Sequence, residues 1–208
     1  MKNLGSEIVV ATRNAGKVKE LEPLFRQKGI EVKSLLDYPG MPDIIEDGDT
    51  FAANALIKAR AIALHLGIPA IADDSGLCVD RLNGEPGVYS ARYAGEPSND
   101  EANNRKLLEE LSKLPRFDGE QTRSLSPARF VSAICLVDAG GQVVSAVECS
   151  CEGEILSSPR GDKGFGYDPL FYIPAMDKTM AELSIDQKNA ISHRGRAIQA
   201  LWDDLENK

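Results

Sequence analysis

EIVVATRNAGKVKELEPLF, residues 7–25, opens on a short apolar run, passes through a polar turn and ends in helical periodicity. Residues 7–12 read as a buried strand. Val18, Leu21, Leu24 and Phe25 then share one helix face, and Gly29 is a natural stop. Residues 30–35 (IEVKSL) read as a second strand. Residues 50–66 (TFAANALIKARAIALHL) follow as a strong helix, with Thr50 as its cap and Phe51, Ala55, Ala59, Ile62 and Leu66 at helical spacing. Asn54 and Lys58, four apart, share a different stripe. Further on, 129–138 and 143–156 read as an antiparallel pair joined across Gly140-Gly141. Early strand–helix alternation followed by a hairpin predicts an α/β fold built on a β-sheet of mixed direction, flanked by helices.

Around this frame the remaining segments are placed by pattern. Pro69–Ala72 reads as a short buried strand ending at Asp73-Asp74-Ser75-Gly76, and 77–82 as another. Residues 83–98 read as loop, 99–114 as an amphipathic helix, and 115–127 as a polar loop without an assigned role. Leu170–Ile173 reads as a short strand. The chain closes in a helix over about 192–205, with Ser192 as its cap and Ala197, Ile198, Leu201 and Leu205 on its apolar face.

The chain has 208 residues, 42% hydrophobic and 27% charged, which is the composition of a globular protein. That length is one large domain, read here as a single unit over 1–208, or two small lobes sharing a core. It can bury enough surface to fold without disulfides or a structural metal. Twenty-four Lys and Arg stand against 32 Asp and Glu, a net charge of −8. This argues against a nucleic-acid or anionic-membrane binder, whose affinity rests on clustered positive charge. A small anionic ligand needs only a local positive pocket. No apolar run is long enough to span a membrane, and the start lacks a signal-peptide stretch, so the expected location is cytoplasmic. Cys78, Cys135, Cys149 and Cys151 form no CxxC and read as reduced thiols.

Four segments have the residue types of a binding or catalytic site. In Thr12-Arg13-Asn14-Ala15-Gly16-Lys17 a strand gives way to a helix. Backbone N–H groups and the helix dipole there favour a phosphate, Lys17 adds charge, and Gly16 allows close approach. The same string also reads as an ordinary turn capped by Asn14. Asp73-Asp74-Ser75 sits at the expected carboxyl end of a strand, where open α/β sheets bind ligands. Paired acids there suit a hard divalent cation, together with the acidic loop Asp43, Glu46, Asp47 and Asp49, or they simply cap the loop. In Gly164-Phe165-Gly166-Tyr167-Asp168-Pro169 the glycines let an aromatic project onto a flat base, although such turns are also structural. In Lys188-Asn189-Ala190-Ile191-Ser192-His193-Arg194-Gly195-Arg196 positive charge loads the start of a helix against its dipole. An anionic or electron-rich ligand would offset that, and the alternative is a solvated basic patch.

In order and together, these segments closely resemble the inosine triphosphate pyrophosphatase family, which removes non-standard purine nucleoside triphosphates. The strings carrying the resemblance are VVATRNAGKVKEL (9–21), FAANALIKARA (51–61), PAIADDSGLCVD (69–80), GEPGVYSARYAG (84–95), GFGYDPLF (164–171), AEL (181–183) and KNAISHRGRA (188–197). The resemblance implies hydrolysis of dITP/ITP or XTP/dXTP to the monophosphate and pyrophosphate with Mg²⁺. It also implies an elongated mixed sheet in two lobes around a central nucleotide-binding cleft, and a homodimer. By matching position, Thr12, Arg13, Asn14, Ala15, Gly16 and Lys17 would hold the triphosphate, with Lys58 reaching the phosphates from its helix. Asp74 would be the catalytic carboxylate, Glu46 and Asp74 the Mg²⁺ ligands, and Ser75 a substrate contact. Asp73 is the second choice as ligand, and Asp47 the alternative to Glu46, because the family often carries two adjacent glutamates in that loop. Phe165 would stack on the base, with Gly166, Tyr167 and Asp168 completing that wall. Lys188, His193 and Arg194 would read the purine's 6-oxo group.

Overall fold

The structure, a computed structural model, describes residues 7–41, 44–115 and 124–207. Asp43, the first six residues and most of the 115–127 loop therefore lie outside the described residues. The elements are β1 (Glu7–Val10), α1 (Ala15–Arg26), β2 (Glu31–Ser34), α2 (Phe51–Leu66), β3 (Ala70–Val79), α3 (Asp100–Ser112), β4 (Ser124–Val137), β5 (Val143–Leu156), β6 (Phe171–Ile173), β7 (Lys178–Thr179), α4 (Ile185–Ile191) and α5 (His193–Glu206). Seven strands form one sheet in the order β2-β1-β3-β4-β5-β6-β7. β1 runs parallel to both β2 and β3, while β6 is antiparallel to β5 and to β7. The sheet is mixed, as the alternation of early strands and helices with a later hairpin requires.

Several boundaries differ from the sequence reading. The largest change is β3, which runs unbroken through Asp73-Asp74-Ser75-Gly76 instead of ending there. The two acids sit inside a strand, and that strand ends at Val79 in a 3-10 turn over Asp80–Leu82. The 83–98 loop holds a further 3-10 segment, Gly87–Arg92. Residues 124–127 belong to β4, so the polar segment is shorter than 115–127. β7 and α4 are too short for periodicity to disclose. Ser192 joins α4 to α5 in extended backbone and closes α4.

The chain divides into two compact units, with β3, β4 and β5 contributing residues to both. Unit 1 comprises Met1–Asp74, Ser132–Cys149 and His193–Lys208. Its core gathers Ile8 and Val10 of β1, Leu21 and Phe25 of α1, Ile71 of β3, and Ile198, Leu201 and Trp202 of α5. Phe25 meets Trp202 edge-on, with ring centroids 5.0 Å apart. Each such side chain contributes about 1.5–3 kcal/mol by leaving water. Unit 2 comprises Ser75–Val131 and Ser150–Ser192. Its core gathers Leu77, Val79, Leu107, Leu111, Ile155, Tyr167, Leu170 and Met180, with Phe130 stacked at 4.3 Å on Phe171. The four cysteines are free thiols. Among the described residues no helix is long and apolar enough to cross a membrane.

Candidate active site

The β1–α1 turn is capped by its own side chains. Asn14 sits in extended backbone just before α1, and its Oδ1 accepts from the N–H of Gly16 at 2.8 Å and of Lys17 at 3.2 Å. Thr12 Oγ1 accepts from Asn14 N–H at 3.1 Å. The donors expected for a phosphate are thus engaged locally, and an anion would have to exchange with Asn14. Arg13 and Ala15 are exposed, and Arg13 donates to the Met41 carbonyl at 2.6 Å. Lys17 turns inward instead, with Nζ 2.9 Å from Asp73 Oδ2.

Asp73 is the centre of a closed ion cluster in unit 1. Ser132 Oγ donates to its Oδ1 at 2.6 Å. Arg194 donates to Oδ2 through Nε at 3.1 Å and Nη2 at 3.0 Å. Arg194 also pairs with Glu20 through Nη1. Burial works to raise the Asp73 carboxyl, but the Arg194 guanidinium and the Lys17 ammonium outweigh it and hold it well below the usual carboxylate range. Burial likewise lowers Lys17 despite Asp73, whereas Asp73 and Glu20 overcome burial and raise Arg194. Two carboxylates face two cations here, and Asp73, the second choice as ligand, serves as counter-ion to Lys17 and Arg194.

Arg194 is 2% exposed and its guanidinium pairs with Asp73 and Glu20, so it does not form a solvated patch. His193, the first residue of α5, is buried as well.

Asp74, one residue on, leaves the strand toward α2. Lys58 Nζ lies 2.8 Å from Asp74 Oδ1 and 2.7 Å from Glu46 Oε2. The two carboxylate oxygens are thus no farther apart than the sum of those distances. Burial alone would lower Lys58, but Asp74 and Glu46 raise it. Asp74 is raised, because burial and the Glu46 charge oppose its ionisation more than Lys58 favours it. Two carboxylates share one cation, so this cluster carries a net charge of −1. Hard oxygen donors converging on a single positive centre with negative charge to spare fit a divalent cation such as Mg²⁺, which usually binds through one or two carboxylates plus waters and phosphates. Among the described residues no cluster of three or more His, Cys, Asp or Glu could hold a metal.

Asn54, one turn before Lys58 on α2, fixes the loop that brings Glu46 in. Its Oδ1 accepts from Gly48 N–H at 2.9 Å, and Asn54 is buried. A Cβ on Gly48 would fall 2.8 Å from that oxygen. Glu46 thereby faces Lys58, while Asp47 is exposed. Asn54 was visible in the sequence as a polar partner to Lys58 on an alanine-rich helix. Ser132 and Glu20 had no such signal, because their partners are remote in sequence.

Unit 2 gathers the other candidates. Asp168 Oδ2 accepts from Phe165 N–H at 3.0 Å and from Lys188 Nζ at 2.7 Å. Lys188, from α4, also stands 5.2 Å from the Phe165 ring centroid. Asp168 and Lys188 are buried, while Phe165 and Gly166 are half-exposed. Tyr167 is 4% exposed within the unit 2 core, and its hydroxyl donates to the Ser90 carbonyl at 2.9 Å, so its side chain anchors the loop from inside. Burial raises its phenol. Ser75 lies half-buried in β3.

These features define an α/β protein of the open mixed-sheet class, carrying a buried carboxylate–lysine cluster in one unit and a pinned aromatic loop in the other. The model of the Ham1 family matches residues 8–204, and the chain belongs to that family. It is 52% identical over 202 residues to a protein of Geobacillus kaustophilus named dITP/XTP pyrophosphatase, covering 96% of this chain and 95% of that one. It is 52% identical over 201 residues to a protein of the same name from Shouchella clausii, covering 97% of each. Among solved structures it resembles a HAM1 protein from Coxiella burnetii, with a TM-score of 0.82, 42% identity, and 98% of this chain and 100% of that one covered.

Proposed function

We propose that this protein is a Mg²⁺-dependent nucleoside triphosphate pyrophosphatase that hydrolyses dITP/ITP and XTP/dXTP to the monophosphate and pyrophosphate, removing deaminated purines from the nucleotide pool. The observation that carries the reading is the Lys58 ammonium shared between Glu46 and Asp74. The names of relatives sharing about half their residues with this chain over nearly its whole length support the same activity.

In this reading Asp74 takes a proton from water as the water oxygen bonds to the α phosphorus. The bond from that phosphorus to the α–β bridging oxygen breaks, and pyrophosphate departs. A buried carboxylate with raised basicity suits this role. Lys58 and Lys17 offset the charge growing on the leaving group. Glu46 and Asp74 would hold Mg²⁺, which supplies Lewis-acid stabilisation of phosphate charge when bound. Thr12, Asn14 and Gly16 are assigned to the triphosphate by exchange of the local caps. Phe165 is assigned to stacking on the base, and Lys188 and His193 to its 6-oxo group. Arg194 is assigned to holding Asp73 and, through it, Lys17. The same reading carries a homodimer in the cytoplasm that does not bind nucleic acid.

Pyrophosphate release from dITP, XTP, dATP and dGTP, with and without Mg²⁺, tests it. Rapid release from dITP and XTP alone, and only with Mg²⁺, is expected. Comparable turnover of all four, or tight nucleotide binding without hydrolysis, overturns it. Light scattering of the purified protein tests the dimer.

A further inference from the structure

We propose that Asp100 and Asn104, on the opening turns of α3, are positioning residues that hold Phe165 in its base-stacking pose and so set the affinity for the base. The proposal rests on the reading of Phe165 given above. Gly166 N–H donates to Asp100 Oδ2 at 2.7 Å, and the Gly166 carbonyl accepts from Asn104 Nδ2 at 2.9 Å. Both backbone polar groups of one residue are thus held by two side chains four apart on one helix, the spacing that puts them on a common stripe. Gly166 has φ +61°, a left-handed conformation that other residues rarely adopt, so the loop turns at the point where it is clamped. On the other side, Phe165 N–H is held by Asp168. Phe165 sits between two fixed points.

A cavity of about 670 Å³ lies between α3 and the loop, bordered by Asn104, Leu108, Pro159, Phe165, Pro169 and Leu170. The hydrogen bonds from Asp100 and Asn104 tie the loop to the helix across the border of this space. Asn104 carries a further mark of this role. Among the described residues its buried Oδ1 has no hydrogen-bond partner, so the side chain bears a desolvation cost that an apolar residue would not.

The test separates stability from affinity for the base. Asn104→Leu removes the unpartnered oxygen together with the donor to Gly166. It is expected to melt no lower than the parent protein, yet to raise KM for dITP about tenfold, with kcat within about threefold, the scale of one lost hydrogen bond. The ratio of kcat/KM for dITP over dATP should stay within about threefold, because stacking serves every base. Asp100→Ala should act in the same direction, and Asp100→Asn, which keeps an acceptor oxygen, should restore most of the loss. Calorimetric binding of dIMP gives a readout independent of turnover and should weaken in parallel. Unchanged KM and dIMP affinity in both Asn104→Leu and Asp100→Ala, while Phe165→Ala weakens dIMP binding, overturns the proposal and leaves the assignment of Phe165 standing. Unchanged dIMP affinity in Phe165→Ala overturns both.

Discussion

Asp73 and Asp74 are neighbours in β3, and their carboxylates leave the strand toward different cations: Asp73 to Lys17 at 2.9 Å, Asp74 to Lys58 at 2.8 Å. Alternation along a strand sends successive side chains to opposite faces, so adjacent acids acquire separate surroundings. One face closes a balanced ion cluster and the other keeps an excess negative charge. The expected consequence is a division of labour. Asp74→Asn removes the proton acceptor and should lower kcat by about 10²–10⁴-fold with little change in melting temperature. Asp73→Asn leaves Arg194 and Lys17 without their shared partner and should cost about 3–5 kcal/mol. For a chain of this size that is a drop of roughly 10 °C, read by differential scanning calorimetry. Equal loss of stability in both variants would refute the division.

The Asp73 contribution has a defined pH window. Its folded carboxyl titrates well below its unfolded value, because Arg194 and Lys17 overcome the effect of burial. A depressed carboxylate stabilises fully above the unfolded pKa, about 3.9, and loses that stabilisation only as pH falls toward the folded one. The stability gap between the parent protein and Asp73→Asn should therefore be constant from pH 7 to 5 and shrink at pH 3. Urea denaturation at the three values measures it. A gap that widens on acidification would mean that Asp73 is not the paired anion the geometry describes.

Glu46 reaches Lys58 because its loop is pinned, so metal dependence should follow the loop. Glu46→Gln should raise the Mg²⁺ concentration for half-maximal activity by tenfold or more, while Asp47→Asn, altering an exposed side chain, should leave it unchanged. Gly48→Ala should resemble Glu46→Gln, since the added methyl would fall 2.8 Å from both Asn54 Oδ1 and Ala53 Cβ. Such overpacking costs about 1–3 kcal/mol where the neighbours cannot yield. Titrating Mg²⁺ in a pyrophosphate-release assay ranks the three variants.

Much of this arrangement was legible in the sequence, and the failures share a cause. Thr50, Asn14 and the apolar faces of α1 and α2 announce themselves locally, because caps and periodicity are properties of neighbouring residues. β3 misled because Asp-Asp-Ser interrupts an apolar run, and polar residues inside a buried strand look like its end. They are tolerated only because Arg194, 121 residues away, and Ser132, 59 away, neutralise and solvate Asp73. The same remote pairing makes Arg194 a counter-ion of Asp73, a role with no local signal. The burial of Tyr167 was hidden for a related reason: a Gly-rich loop announces an aromatic but not which of two aromatics faces inward.

The loop of unit 2 gives the last prediction. Gly164 has φ +79°, and a Cβ there would lie 2.0 Å from Asp168 Oδ2, the oxygen that holds both Phe165 N–H and Lys188 Nζ. Gly164→Ala cannot be accommodated without driving that carboxylate away, so both contacts should fail together. Lys188→Met removes the ammonium but leaves Asp168 able to hold Phe165 N–H. If the loop stacks on the base while Lys188 reads its 6-oxo group, the two variants should fail differently. Lys188→Met should lose the preference for dITP over dATP with moderate loss of affinity for dITP. Gly164→Ala should weaken both nucleotides, by about tenfold or more, because stacking is worth about 1–3 kcal/mol and every base has a π-face. Neither should move the proposed Mg²⁺ requirement, because Glu46 and Asp74 belong to unit 1. Parallel KM measurements for dITP and dATP across a Mg²⁺ titration distinguish the patterns, and a shift in Mg²⁺ dependence for either variant would show that the loop does more than bind the base.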